Sequence, residues 1–158
     1  MKPLVLVLSV LFSLVFSASQ AQDLLPYYNQ NSAGVWLDGY DPVAYKTQQK
    51  AVKGKAQYAV KYQGTTFYTS SAQHQELFKK QPAQYLPEYG GYCAYAIGSY
   101  NEKVEVDPET FQVKNGKVYL FYNKFFTNTL KSWENDETKL RTAAEANWKT
   151  QKHKPAAM

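Results

Sequence analysis

The sequence predicts a small single α+β domain with antiparallel hairpins and three to four short helices. Two hairpin patterns, one turning at Gln63-Gly64 and one at Asn115-Gly116, join neighbouring strands directly. Helical patterns follow these hairpins instead of alternating with them, which argues against a parallel sheet. The chain has 158 residues, 44% of them hydrophobic, which suits one core of its own.

Taken in order, residues 1–21 have the layout of a secretory signal peptide. Lys2 is the basic start, residues 4–16 are apolar apart from serines, and Ser19-Gln20-Ala21 offers small residues for cleavage. The apolar run is shorter than a membrane span of about 20 residues. The expectation is therefore an exported chain, periplasmic or secreted, with no transmembrane anchor after cleavage. Residues 22–34 read as a loose leader and 35–148 as the domain. Val43-Ala44-Tyr45 reads as a short extended piece after the turn at Asp41-Pro42.

Residues 57–62 and 65–69 are rich in tyrosine and β-branched types and form the first hairpin. Ser70 or Ser71 is placed to cap a helix running to Lys80, with Phe78 and Leu77 inward. Pro82 stops that helix or starts a new turn. Gly90-Gly91 loosens the backbone before a short helix near Tyr92, on which Cys93, Ala96 and Ile97 share a face. Asp107-Pro108 reads as a turn before the second hairpin, residues 111–122. Two helices close the domain. Phe126, Leu130 and Trp133 mark the inner face of the first; Leu140, Ala143, Ala144 and Trp148 mark that of the second. Glu137 and Arg141 form an i, i+4 pair, and residues 149–158 read as a disordered tail.

The net charge is +5, with basic and acidic residues interspersed. No stretch resembles a nucleic-acid arm, so no nucleic acid is expected as a partner. There is no phosphate loop, nucleophile elbow, H-E-x-x-H, C-x-x-C or calcium loop. Chemistry is left to few side chains. Cys93 is the only cysteine, in a chain read as exported, so it is buried and inert, paired between two chains, or chemically employed. In the first turn of a helix its thiolate would be favoured by unpaired N–H groups. His74 shares the inward face of its helix with Leu77 and Phe78, and is either a ligand or proton carrier or a satisfied core histidine. Tyr89, Tyr92 and Tyr95 flank Cys93 in sequence and either line a pocket with Asp41 or pack.

Several blocks together resemble the secreted branch of the YHS-domain family. They are Gly39-Tyr40-Asp41-Pro42-Val43-Ala44-Tyr45, Tyr62-Gln63-Gly64-Thr65-Thr66-Phe67-Tyr68, and Tyr89-Gly90-Gly91-Tyr92-Cys93-Ala94. Asp107-Pro108 and Gly116-Lys117-Val118-Tyr119-Leu120 continue the pattern, which covers residues 35–148. The resemblance implies a small α+β domain related to cysteine-rich metal-sensing modules. Such domains accompany copper-transporting ATPases and multicomponent oxygenases, and heavy-metal binding is the role it implies. Metal-associated relatives carry several cysteines; here only Cys93 remains. A closed four-ligand zinc site cannot be built from one chain. A site of Cys93 and His74 for copper or zinc, completed by water or a carboxylate, is the leading expectation. The alternatives are a thiol-dependent enzyme or redox protein using Cys93 with His74 as base, and a non-catalytic structural or partner-binding domain. The expected partner is a metal ion or small molecule, with pairing of two chains through Cys93 as a further option.

Overall fold

The structure, a computed structural model, describes residues 27–151. The signal peptide, residues 22–26 of the leader and the last part of the tail lie outside the described residues.

The domain is α+β. Its elements are α1 (Pro42–Thr47), β1 (Lys55–Tyr62), β2 (Thr65–Thr69), α2 (Ala72–Lys80), α3 (Pro82–Tyr85), α4 (Ala94–Tyr100), β3 (Asp107–Lys114), β4 (Lys117–Phe121), β5 (Asn123–Lys124), β6 (Thr127–Asn128), α5 (Thr129–Asn135) and α6 (Glu137–Gln151). Tight turns at Leu37–Gly39 and Glu88–Gly91 complete it. The strands form three separate antiparallel hairpins: β1–β2, β3–β4 and β5–β6. Each closes over two residues with positive φ: Gln63-Gly64, Asn115-Gly116 and Phe125-Phe126. That backbone matches the twist of the flanking strands.

Two helices exceed the expected set. Residues 43–45 are helical within α1, not extended. Asp41 caps this helix through Oδ1, which accepts from the Val43 N–H at 2.8 Å, and Pro42 supplies a preset first residue. Pro82 does not merely stop α2; it begins the single turn of α3. Ser71, not Ser70, caps α2 by accepting from the His74 N–H. Asp107 and Pro108 lie in β3, whose register slips between Asp107 and Phe111.

Part of the leader belongs to the fold. Tyr28 and Asn29 are buried. The Asn29 N–H donates to the Gly90 carbonyl at 2.9 Å, and the Asn29 side chain donates to the Gly91 carbonyl at 3.2 Å. The Trp36 indole donates to the same Gly90 oxygen at 3.2 Å. Gly90 and Gly91 take φ of +65° and +91°, and the leader runs so close that a Cβ on Gly90 would lie 2.1 Å from the Tyr27 carbonyl oxygen. The glycine pair therefore serves as a seat for the N-terminal segment, because only glycine tolerates both the backbone angle and the approach.

Two apolar clusters hold the elements. Trp36, Val43, Tyr45, Phe67, Phe78, Cys93, Val118 and Leu120 belong to the larger. Tyr89, Ala94, Ile97, Tyr119, Phe121, Trp133 and Ala144 form the smaller, over which α6 lies. Leu130 and Trp133 of α5 face it as expected, with Leu140 and Trp148 of α6. Phe126 does not: it is fully exposed in the β5–β6 turn, before α5 begins. Glu137 pairs with Arg141 at 3.2 Å and also takes Lys114 from β3 at 2.6 Å.

Candidate functional site

His74 enters from the first turns of α2, and its ring meets the α1 cap. Nδ1 lies 2.6 Å from Asp41 Oδ2, and both residues are buried, Asp41 completely. Asp41 Oδ2 also accepts from the Ser70 N–H at 2.7 Å, while Oδ1 serves α1. A carboxylate can only accept, so the proton on this side belongs to Nδ1. The Gln48 side-chain nitrogen stands 3.4 Å from the other ring nitrogen. Sequence spacing gave His74 an inward face; it gave no sign that Asp41, 33 positions earlier, would be its partner.

Cys93 stands elsewhere. It is the residue before α4, not one of its first turn, and its sulfur makes no capping bond to that helix. The Tyr122 N–H donates to Sγ at 3.4 Å, and Thr129 Oγ1 lies 3.4 Å from Sγ. The Thr129 hydroxyl donates to the Tyr122 carbonyl at 3.0 Å, which leaves its oxygen to accept from the thiol. The three groups close a ring that ties α4, the end of β4 and the start of α5. Cys93 has 0% exposure. In the folded domain its sulfur has no open path to a reagent or to a second chain.

Cys93 and His74 share no polar partner: His74 meets Asp41, Ser70 and Gln48, and Cys93 meets Tyr122 and Thr129. No group of three or more His, Cys, Asp or Glu side chains fit to hold a metal ion occurs among the described residues. The tyrosines also disperse. Tyr95 packs edge-on to Tyr100 at 5.8 Å. Tyr92 is buried against Trp148, ring centroids 6.4 Å apart, and burial with the nearby Glu105 charge pushes its phenol up to about 12. Asp41 lines no pocket with them; it is enclosed with His74.

Of the expected pocket residues, Tyr89 lines a cleft, whose wall Trp148 also packs against Tyr92. The cleft has a volume of about 360 Å³ and is walled by Tyr27, Tyr28, Tyr62, Leu86, Tyr89 and Trp148, with Gln63 and Glu88 among its polar groups. The rings are mutually braced: Tyr27 stands edge-on to Tyr28 at 4.7 Å and to Trp148 at 5.3 Å, and Tyr89 to Trp148 at 6.0 Å. Burial raises the phenols of Tyr28 and Tyr89 far above the ordinary tyrosine value, so both keep their protons. Tyr28 donates to Gln63 Oε1 at 2.8 Å. The Tyr89 hydroxyl is buried with no hydrogen-bond partner among the described residues. The sequence concealed this cleft because three of its five rings, Tyr27, Tyr28 and Trp148, come from the segment read as a loose leader and from the last helix.

No family model matches the chain, and neither a curated protein nor a solved structure matches it. No helix among the described residues is long and apolar enough to cross a membrane.

Proposed function

We propose that this chain is an exported, YHS-like binding module without catalytic chemistry, which holds a small organic ligand in the tyrosine- and tryptophan-walled cleft. The carrying observation is a division of labour. The thiol and the imidazole are spent on internal contacts, whereas the aromatic faces of Tyr27 and Trp148 line an open concavity of about 360 Å³. That volume falls within the range of about 300–1,000 Å³ usual for small-ligand sites, which join apolar walls to a few polar groups. The accessible lining is more polar than apolar, so the ligand this suits joins a flat ring for Tyr27 and Trp148 to several hydrogen-bonding groups for Gln63, Glu88 and the tyrosine hydroxyls.

A metal ion between Cys93 and His74 is the weaker reading. It lacks a ready group of three or more ligands among the described residues, and Cys93 would have to give up its Tyr122 and Thr129 partners, although His74 could keep its contact with Asp41.

Saturation-transfer NMR with benzamide as probe tests the proposal on the purified chain. Ring protons of benzamide are expected to receive saturation from the protein. Trp148→Ala and Ala83→Trp, which fills the cleft from its α3 wall, are each expected to abolish the transfer, and Cys93→Ala to leave it unchanged. Zn²⁺ or Cu⁺ that raised the melting temperature of the wild type, and not of Cys93→Ala, would overturn this reading in favour of the metal.

A further inference from the structure

The three hairpins share one backbone solution and differ in one respect. The β1–β2 and β3–β4 turns place glycine second, at Gly64 and Gly116. The β5–β6 turn places phenylalanine at both positions, Phe125 with φ +50° and Phe126 with φ +67°. A bulky residue with positive φ is strained, and strain kept where glycine would relieve it marks positions selected for something other than the fold. Both rings project into solvent: Phe125 is 86% exposed and Phe126 fully so. Neither belongs to the core clusters or to a cleft wall.

The surroundings indicate what these rings meet. Residues 122–133 carry Lys124 and Lys131 and no carboxylate. Lys124 adjoins the tip, and Lys131 lies in the first turn of α5 just beyond the hairpin. Asp107 is at the opposite end of the hairpin, where it takes the Thr110 hydroxyl at 2.8 Å and the Asn123 amide at 3.4 Å, and Glu134 follows Lys131 by three residues on α5. Two phenylalanines offer roughly 300–500 Å² of burial. That is well short of the roughly 800 Å² per partner of a stable protein interface. The tip is convex, narrow and flanked by cations. A lipid surface accepts such a protrusion without a matching pocket, and rewards both apolar rings and adjacent lysines.

We infer that the Phe125-Phe126 turn is a membrane-interface anchor, which inserts its two rings among the lipids of an anionic bilayer while Lys124 and Lys131 meet the headgroups. This surface is separate from the aromatic cleft and does not depend on it.

A fluorescent reporter at the tip tests the inference, because it is insensitive to tethering by the apolar residues 4–16. The environment-sensitive dye NBD is placed on the full chain through Thr127→Cys; Cys93, fully buried, does not compete for it. Vesicles of phosphatidylcholine with one quarter phosphatidylglycerol are expected to shift the emission to the blue and raise it at least about twofold. Phe125→Ser with Phe126→Ser in the labelled chain is expected to weaken apparent partitioning roughly tenfold or more. Lys124→Glu is expected to weaken it by about fivefold or more on these vesicles, and little on pure phosphatidylcholine. No blue shift with the anionic vesicles, or an equal shift in the double variant, would overturn the anchor. An emission change that grows with protein concentration without lipid would likewise overturn it, and would assign the tip to contact between two copies of the chain.

Discussion

His74 Nδ1 lies 2.6 Å from Asp41 Oδ2, and the same carboxylate accepts the backbone amides of Val43 and Ser70. One buried side chain thus caps α1, fixes the approach to α2 and orients an imidazole. Its removal leaves three donors short of an acceptor in a place with little water. Asp41→Ala is expected to lower the unfolding free energy by about 3 kcal/mol, the sum of a lost cap and unpaired buried groups. Urea denaturation measures it. A loss below 1 kcal/mol would show that the dyad is dispensable for the fold.

Gly90 and Gly64 both have positive φ, but their surroundings differ. A Cβ on Gly90 would meet the Tyr27 carbonyl oxygen at 2.1 Å, whereas on Gly64 it would meet nothing within 4 Å. Gly64→Ala therefore carries only the left-handed backbone penalty, about 1–2 kcal/mol. Gly90→Ala carries that penalty and displaces the N-terminal segment. Expected are a larger fall in melting temperature for Gly90→Ala and faster protease cleavage near residues 27–31. Equal effects of the two substitutions would contradict the seat described for Asn29.

Cys93 is enclosed, so thiol reagents are expected to modify it no faster than the domain unfolds. Labelling with iodoacetamide should be negligible in buffer and complete in denaturing urea. Cys93→Ala should cost about 1–3 kcal/mol, since it removes a buried sulfur and leaves the Tyr122 N–H unpaired. Rapid native labelling would reopen the reading of this cysteine as a nucleophile.

Lys103 is buried beside the rings of Tyr92 and Trp148, its Nζ 5.2 and 5.6 Å from their centroids. Burial pulls its ammonium down to about 8. The unfolded lysine keeps its proton to about pH 10.4, so from pH 8 upward the unfolded chain binds the more protons and stability rises. The raised phenols of Tyr28, Tyr45, Tyr89 and Tyr92 act in the opposite sense once pH passes about 10, where unfolded tyrosines ionise and folded ones do not. The melting temperature is expected to climb between pH 7.5 and 9.5 and fall beyond. Lys103→Met should flatten the climb. A wild-type profile already flat across that interval would refute the assignment.

The sequence made local features legible where a single residue decides them. Asn115-Gly116 set the β3–β4 turn, and the Ser70-Ser71 pair announced α2, with Ser71 the cap. The α1 helix escaped because Val43 and Tyr45 favour strands, while the decisive feature was the Asp41 cap with Pro42 behind it. Phe126 was assigned to a helix face because apolar spacing counts rings without knowing where the backbone turns. The site was less legible still. Tyr27, Tyr62 and Trp148 share a cleft although they are far apart in the chain, and Asp41 meets His74 across the whole β1–β2 hairpin that separates them in sequence. Cys93, the residue that chemistry singled out, takes its partners Tyr122 and Thr129 from across the domain.

The seat that Gly90 and Gly91 provide for Asn29 imposes an order on biosynthesis. Asn29 leaves the ribosome first, but the carbonyl that receives its side chain follows 62 positions later. At about 5–20 residues per second that interval is roughly 3–12 seconds. Throughout it the indole of Trp36 and the ring of Tyr28 lack their final cover, so a nascent chain of this protein is best served by remaining unfolded, or chaperoned, until the glycines emerge.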